Sequence, residues 1–118
     1  MLDDGRDHAE LLEAELAEAE AQRAALARTV AGLRAARGTT FDDDEHDPEG
    51  STLSLEQARE SALLASAERR VAELVAAQAR LAEGTYGICE VCGGEIPAGR
   101  LLARPEATRC VPCLTLRR

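Results

Sequence analysis

The sequence contains no Trp and no Lys, and its aromatic residues are only Phe41 and Tyr86. So few large side chains exclude a broad globular core in a chain of 118 residues. Alanine supplies much of the 45% apolar content, which suits a narrow Leu/Ala seam zipped between helices. No stretch approaches the length of a membrane span, and Met1 to Gly5 offers neither a basic n-region nor an apolar h-region. A cytoplasmic protein with no membrane contact is therefore expected. Enzyme signatures are missing too: there is no phosphate-binding Gly loop and no Ser/His/Asp set, so no catalytic residues are assigned. All fourteen basic residues are Arg, which reads mainly as genomic composition bias.

What charge there is has one dominant sign. The formal net charge is −8, and the segment from Gly84 onward carries about +2, so the first 83 residues carry about −10. Phosphate backbones reward clustered cations, so direct sequence-specific DNA binding is not expected of such a chain. Acidic surface suits a basic protein partner or a metal-containing site.

All four cysteines lie in the last third, as Cys89-Glu90-Val91-Cys92 and Cys110-Val111-Pro112-Cys113. Seventeen residues separate the two CxxC pairs, a spacing typical of a four-thiolate zinc site. Two such knuckles present four sulfurs tetrahedrally, the closed geometry of structural Zn²⁺, which leaves no position for a catalytic water. Gly93 and Gly94 follow the first pair, where a tight turn aims backbone N–H groups at the sulfurs. Two disulfides or a redox CxxC are the alternatives; the lack of export features favours one structural zinc held by Cys89, Cys92, Cys110 and Cys113.

Upstream, Asp7 to Arg37 is rich in Ala, Glu, Leu and Arg, with apolar positions stepping by four and three through Leu12, Leu16, Ala19, Leu26, Val30 and Leu33. This heptad pattern predicts a helix of roughly 45 Å that packs along another helix. Gly38 is placed to end it as a C′ residue. Next come six acids in eight residues, Asp42, Asp43, Asp44, Glu45, Asp47 and Glu49, interrupted by His46 and Pro48. Ser54-Leu55-Glu56-Gln57 reads as a capping box that opens a second helix from about Leu55 to Glu83, with Ser51 an alternative N-cap. Its seam reads Leu64, Ala67, Val71, Leu74, Gln78 and Leu81, in antiparallel register with the first. The expected fold is mostly α: a long antiparallel coiled-coil hairpin over residues 1–84, its acidic tip loop at about 38–53, and a four-cysteine zinc finger over 85–118. Two helices that dimerise with another chain would give the same pattern.

The run Thr85-Tyr86-Gly87-Ile88-Cys89-Glu90-Val91-Cys92-Gly93, then Arg100-Leu101-Leu102-Ala103-Arg104-Pro105, then Cys110-Val111-Pro112-Cys113 resembles the TraR/DksA family of C4-type zinc-finger proteins. The hairpin with an acidic tip is in keeping with that family. The resemblance implies a regulator that binds RNA polymerase without DNA contacts, inserting its coiled coil into the secondary channel so that the tip nears the catalytic Mg²⁺. Some members act together with the alarmone ppGpp. Arg69, Arg70 and Arg80 lie in the part of helix two where such members carry basic residues, without matching one for one, and ppGpp binding is not expected here. The family's tip motif Asp-x-x-Asp-x-Ala is incomplete: an ungapped count puts His46, Glu49 and Ser51 there, and shifting to Asp44 and Asp47 puts Glu49 in place of Ala.

The acidic stretch, Asp42 to Glu49, is thus the candidate partner-binding element, against the plainer reading of a solvated turn. Arg23 on the seam is expected to snorkel and set register, and Tyr86 to cover the join between helix two and the finger. Arg100, Arg104 and Arg109 are candidates to offset a dianionic Zn(Cys)4 centre. A zinc-finger coiled-coil adaptor or homodimer without a transcriptional role is the competing reading of function.

Overall fold

The computed structural model describes residues 4–39 and 48–115, with side chains over 5–37 and 52–115. Among the described residues there are four helices: α1 (Asp4–Thr39), α2 (Pro48–Glu83), α3 (Ala98–Ala103) and α4 (Val111–Leu114). The chain forms two compact units, one of residues 1–17 with 72–118 and the other of residues 18–71. The first joins the start of α1 to the end of α2 and to the cysteine-rich segment; the second joins the end of α1 to the start of α2. That pairing is an antiparallel helical hairpin. The boundary expected between residues 84 and 85 lies within the first of these units.

Both helices are longer than the sequence suggested. α1 continues through Gly38 to Thr39, and α2 opens at Pro48, so positions 38–39 and 48–53 of the expected loop are helical. A proline is well tolerated in the first turn, because its fixed φ is already helical and its missing N–H would have no intrahelical partner there. The Ser54 capping box consequently lies inside α2 and caps nothing. A single Gly in a helix costs only about 1 kcal/mol, a cost that α1 carries at Gly38 and α2 at Gly50. At the other end the expectation holds. Gly84 adopts φ +86, its N–H donates to Leu81 O at 3.3 Å, and Thr85 N–H donates to Arg80 O at 2.9 Å. Those two bonds are the Schellman pair that satisfies the last carbonyls of α2.

The seam positions face inward as the heptads predict. Leu12, Ala19 and Val30 of α1 and Leu74 of α2 are buried, and Leu16, Leu26, Leu33, Leu64, Ala67, Val71 and Leu81 are half-buried. One position differs. Ala77 is fully buried where Gln78 was expected, and Gln78 is only half-buried. An interior amide would need hydrogen-bond partners, whereas Ala lets the helices close without that cost. Arg23 is half-buried on the seam, consistent with a stem lying along apolar surface beneath a hydrated head. Because Leu12 and Leu74 are completely buried, Leu74→Ala is expected to cost about 2–5 kcal/mol. Thermal unfolding followed by circular dichroism measures this; a loss below 1 kcal/mol would mean that Leu74 is not a seam residue.

Candidate metal centre

The first knuckle is built by its own backbone. Cys89 N–H donates to Gly94 O at 2.8 Å, Gly93 N–H to Cys89 O at 2.9 Å, and Ile96 N–H to Gly87 O at 2.8 Å, around a bridge between Ile88 and Glu95. Gly93 sits at φ +77, a conformation that costs a residue with a Cβ about 1–2 kcal/mol. This tight turn aims amides at sulfur: Val91 N–H meets Cys89 Sγ and Gly94 N–H meets Cys92 Sγ, each at 3.4 Å. Gly94 thus plays the role expected of it, while Gly93 donates to a carbonyl. The second knuckle starts at Cys110, whose carbonyl accepts Leu114 N–H at 3.0 Å. α4 follows with Pro112 in its first turn and presents Cys113.

The four Sγ atoms lie within 4.8 Å of one another, and Cys92 Sγ is 3.8 Å from Cys110 Sγ. Zinc–sulfur bonds of about 2.3 Å in a tetrahedron separate the sulfurs by about 3.8 Å, so this edge fits Zn²⁺ directly. All four are free thiols rather than disulfides, with Cys89, Cys110 and Cys113 buried and Cys92 exposed. Their acidities diverge. Backbone N–H groups of Cys92 and Cys110 pull Cys89 down to about 6, whereas the hydrogen bond with Cys110, followed by burial, pushes Cys113 up to about 12. The donor set, its spacing and its closure fit one structural zinc ion.

Around the sulfurs the finger's buried cluster is Cys89, Ile96, Leu101, Ala107, Cys110 and Cys113, with Tyr86 packed on it. Tyr86, expected to cover the join between helix two and the finger, also packs against α1. Its hydroxyl donates to Pro105 O at 2.8 Å, and its ring lies 4.9 Å from the His8 ring, centroid to centroid. Arg80 Nη2 of α2 donates to Glu106 O at 3.4 Å. Burial, opposed by the charge of Arg80, raises the Tyr86 pKa. His8 gave no signal in the sequence, because a lone His on a helix says nothing of a ring packed against it. Tyr86→Phe keeps the packing and removes one hydrogen bond, for an expected loss of about 0.5–1.5 kcal/mol read from the denaturation midpoint. A loss several times larger would show that the hydroxyl holds more than Pro105.

The arginines expected to offset the metal charge are engaged elsewhere. Arg104 pairs with Glu106 at 3.3 Å, and Arg109 with Glu90 at 2.9 Å. The hydrogen bond from Arg109 holds the Glu90 carboxyl below the usual carboxylate range. Arg100 Nε donates to Arg109 O at 2.8 Å. Asp42, Asp43, Asp44, Glu45, His46 and Asp47 lie outside the described residues, and Glu49 is placed only by its backbone, in the first turn of α2.

Residues 84–117 match the family model of the prokaryotic dksA/traR C4-type zinc finger. The class defined by fold and site is therefore a helical hairpin carrying a C4 zinc finger, and the finger is similar to that of the DksA/TraR family. A stretch of 34 residues is 53% identical to an uncharacterised protein of Aquifex aeolicus, covering 29% of this chain and 23% of that one. Another of 65 residues is 37% identical to the uncharacterised protein YteA of Bacillus subtilis, covering 55% and 27%. The matches thus span about a quarter of the length of these relatives. Among solved structures, transcription factor DksA2 from Pseudomonas aeruginosa superposes with a TM-score of 0.56 at 23% identity, over 89% of this chain and 81% of that one. That likeness carries the fold.

Proposed function

We propose that the chain is a non-enzymatic transcription regulator that binds RNA polymerase through the secondary channel and modulates initiation with its acidic tip. The observation that carries this reading is the conjunction of a dksA/traR finger with a hairpin fold shared, over most of the chain, with a transcription factor. Charge supports it: about −10 over the first 83 residues suits a basic passage on a protein better than nucleic acid. Five of the six acids, Asp42 to Asp47, occupy the sequence joining α1 to α2, and Glu49 follows in the first turn of α2; this is the segment a hairpin presents first to a channel leading to a bound metal ion. No described helix is long and apolar enough to cross a membrane, and a cytoplasmic location is part of this proposal.

The direct test is co-migration. The zinc-loaded chain is expected to elute with purified RNA polymerase in gel filtration, with binding that weakens as salt screens the acidic surface. A chain that binds neither core enzyme nor holoenzyme would defeat the proposal in favour of an adaptor or homodimer. Salt-sensitive binding to bare duplex DNA would defeat it in favour of a DNA-binding zinc protein.

A further inference from the structure

The two CxxC pairs are joined by more than the metal. Glu90 stands inside the first pair, and Thr108 and Arg109 lead directly into the second. Glu90 N–H donates to Thr108 O at 2.9 Å. In return the Glu90 carboxylate oxygen Oε2 accepts Thr108 Oγ1 at 3.2 Å and Arg109 Nε at 2.9 Å. Arg100, on α3, then fixes the backbone at Arg109 through Nε to the carbonyl oxygen at 2.8 Å. Four hydrogen bonds therefore clamp three separate pieces of the finger without using any sulfur.

We propose that Glu90 and Arg109 are positioning residues for the zinc, forming a latch that holds the two knuckles in register before the metal arrives. The physical need is plain in the sequence, where seventeen residues lie between Cys92 and Cys110. Closing that span costs conformational entropy, and a latch that closes it in advance leaves less of the cost to metal binding. Charge points the same way. A carboxylate next in sequence to Cys89 disfavours a dianionic Zn(Cys)4 centre by like-charge repulsion. Glu90 is useful there only through the hydrogen bonds it accepts, and Arg109 neutralises it while making one of them. Arg109 acts on the carboxylate rather than on the thiolates.

This reading separates sharply from simple charge compensation. If Arg109 served only as a cation near the thiolates, removing it would weaken zinc binding while removing Glu90 would strengthen it. The latch requires both removals to weaken binding, and requires removal of Arg109 to add nothing once Glu90 is gone. The test measures the zinc dissociation constant of the full chain by competition with a chelator, for Glu90→Ala, Arg109→Ala, the double variant and Glu90→Gln. Each single alanine variant is expected to bind zinc about five-fold more weakly, the scale of a half-exposed charge pair. The double variant should match Glu90→Ala. Glu90→Gln should stay close to the parent, because its amide oxygen still accepts both bonds. Titration with Co²⁺ supplies the spectroscopic control: every variant should reach the same tetrahedral thiolate absorption at saturation, at a higher metal concentration for the alanine variants. Tighter zinc binding by Glu90→Ala, additive losses in the double variant, unchanged affinity throughout, a Glu90→Gln as weak as Glu90→Ala, or an alanine variant that never reaches the saturated spectrum would each overturn the latch.

Discussion

Removing zinc is expected to unfold the finger, loosen the helix ends that share its compact unit, and leave the other unit helical. The cysteines are themselves half of the finger's buried cluster, and its large aliphatic members are Ile96 and Leu101. Each contributes about 1.5–3 kcal/mol by burial, far below the roughly 10–16 kcal/mol that a structural zinc supplies. Without metal, four thiols crowd within 4.8 Å, and the half-exposed Glu90–Arg109 latch, at about 0–1 kcal/mol, biases the knuckles toward register without keeping the finger folded. The effect should spread along specific contacts. The Tyr86 hydroxyl loses its place on Pro105 and its ring no longer holds His8, while Arg80 loses the Glu106 carbonyl. Residues 18–71 have their own seam, with Ala19 and Val30 buried. Amide hydrogen exchange after chelation should therefore show three levels: protection lost over residues 85–115, reduced over 5–17 and 72–83, and retained over 18–37 and 52–71. Cys113→Ser should reproduce the pattern. Acid acts in the same direction, since protons compete with Zn²⁺ for the thiolates as pH falls. Uniform loss of protection along both helices would mean that the hairpin has no stability apart from the metal.

The periodicity and the cysteine spacing carried most of this architecture, because both are local rules with little competition. Steps of three and four leave few alternatives for Leu12, Val30 or Leu74, and paired CxxC spacing fixes the ligand set. The misses fall where tertiary packing overrides a local signal. Gly38 and the Ser54 box are good boundary signals in isolation, yet α1 passes through one and α2 through the other. Choosing Gln78 rather than Ala77 followed the heptad count one residue too far. The Glu90–Arg109 pair and the His8–Tyr86 contact join residues nineteen and seventy-eight positions apart. No spacing rule reports such pairs, and only the folded finger brings them together. The arginines showed this most clearly. Their excess over Glu in the finger was legible as charge, but their partners were not.

The second large effect is expected at the acidic stretch. Replacing Asp44, Asp47 and Glu49 together by Ala or Asn should abolish any effect of the chain on transcription while leaving polymerase binding largely intact. The two outcomes separate because they draw on different physics. In the proposed complex, docking by the hairpin and finger would spread over many contacts, and an exposed charge contributes only about 0–1 kcal/mol to such an interface. Three such losses weaken binding modestly and can be offset by protein concentration. Action near a catalytic metal ion is instead local, since a carboxylate there competes for the cation's field or its ligands and an amide of similar size does neither. Asn should therefore fail as completely as Ala. In vitro transcription with and without ppGpp, at variant concentrations that saturate polymerase, measures the effect directly. Because six acids share the stretch, a companion variant at Asp42, Asp43 and Glu45 tests whether position or total charge matters. Position predicts that this companion keeps most of its activity; total charge predicts that both triple variants fail alike. Full transcriptional activity in both would reduce the acids to a solvated turn, and regulation would then have to come from the finger or the helices.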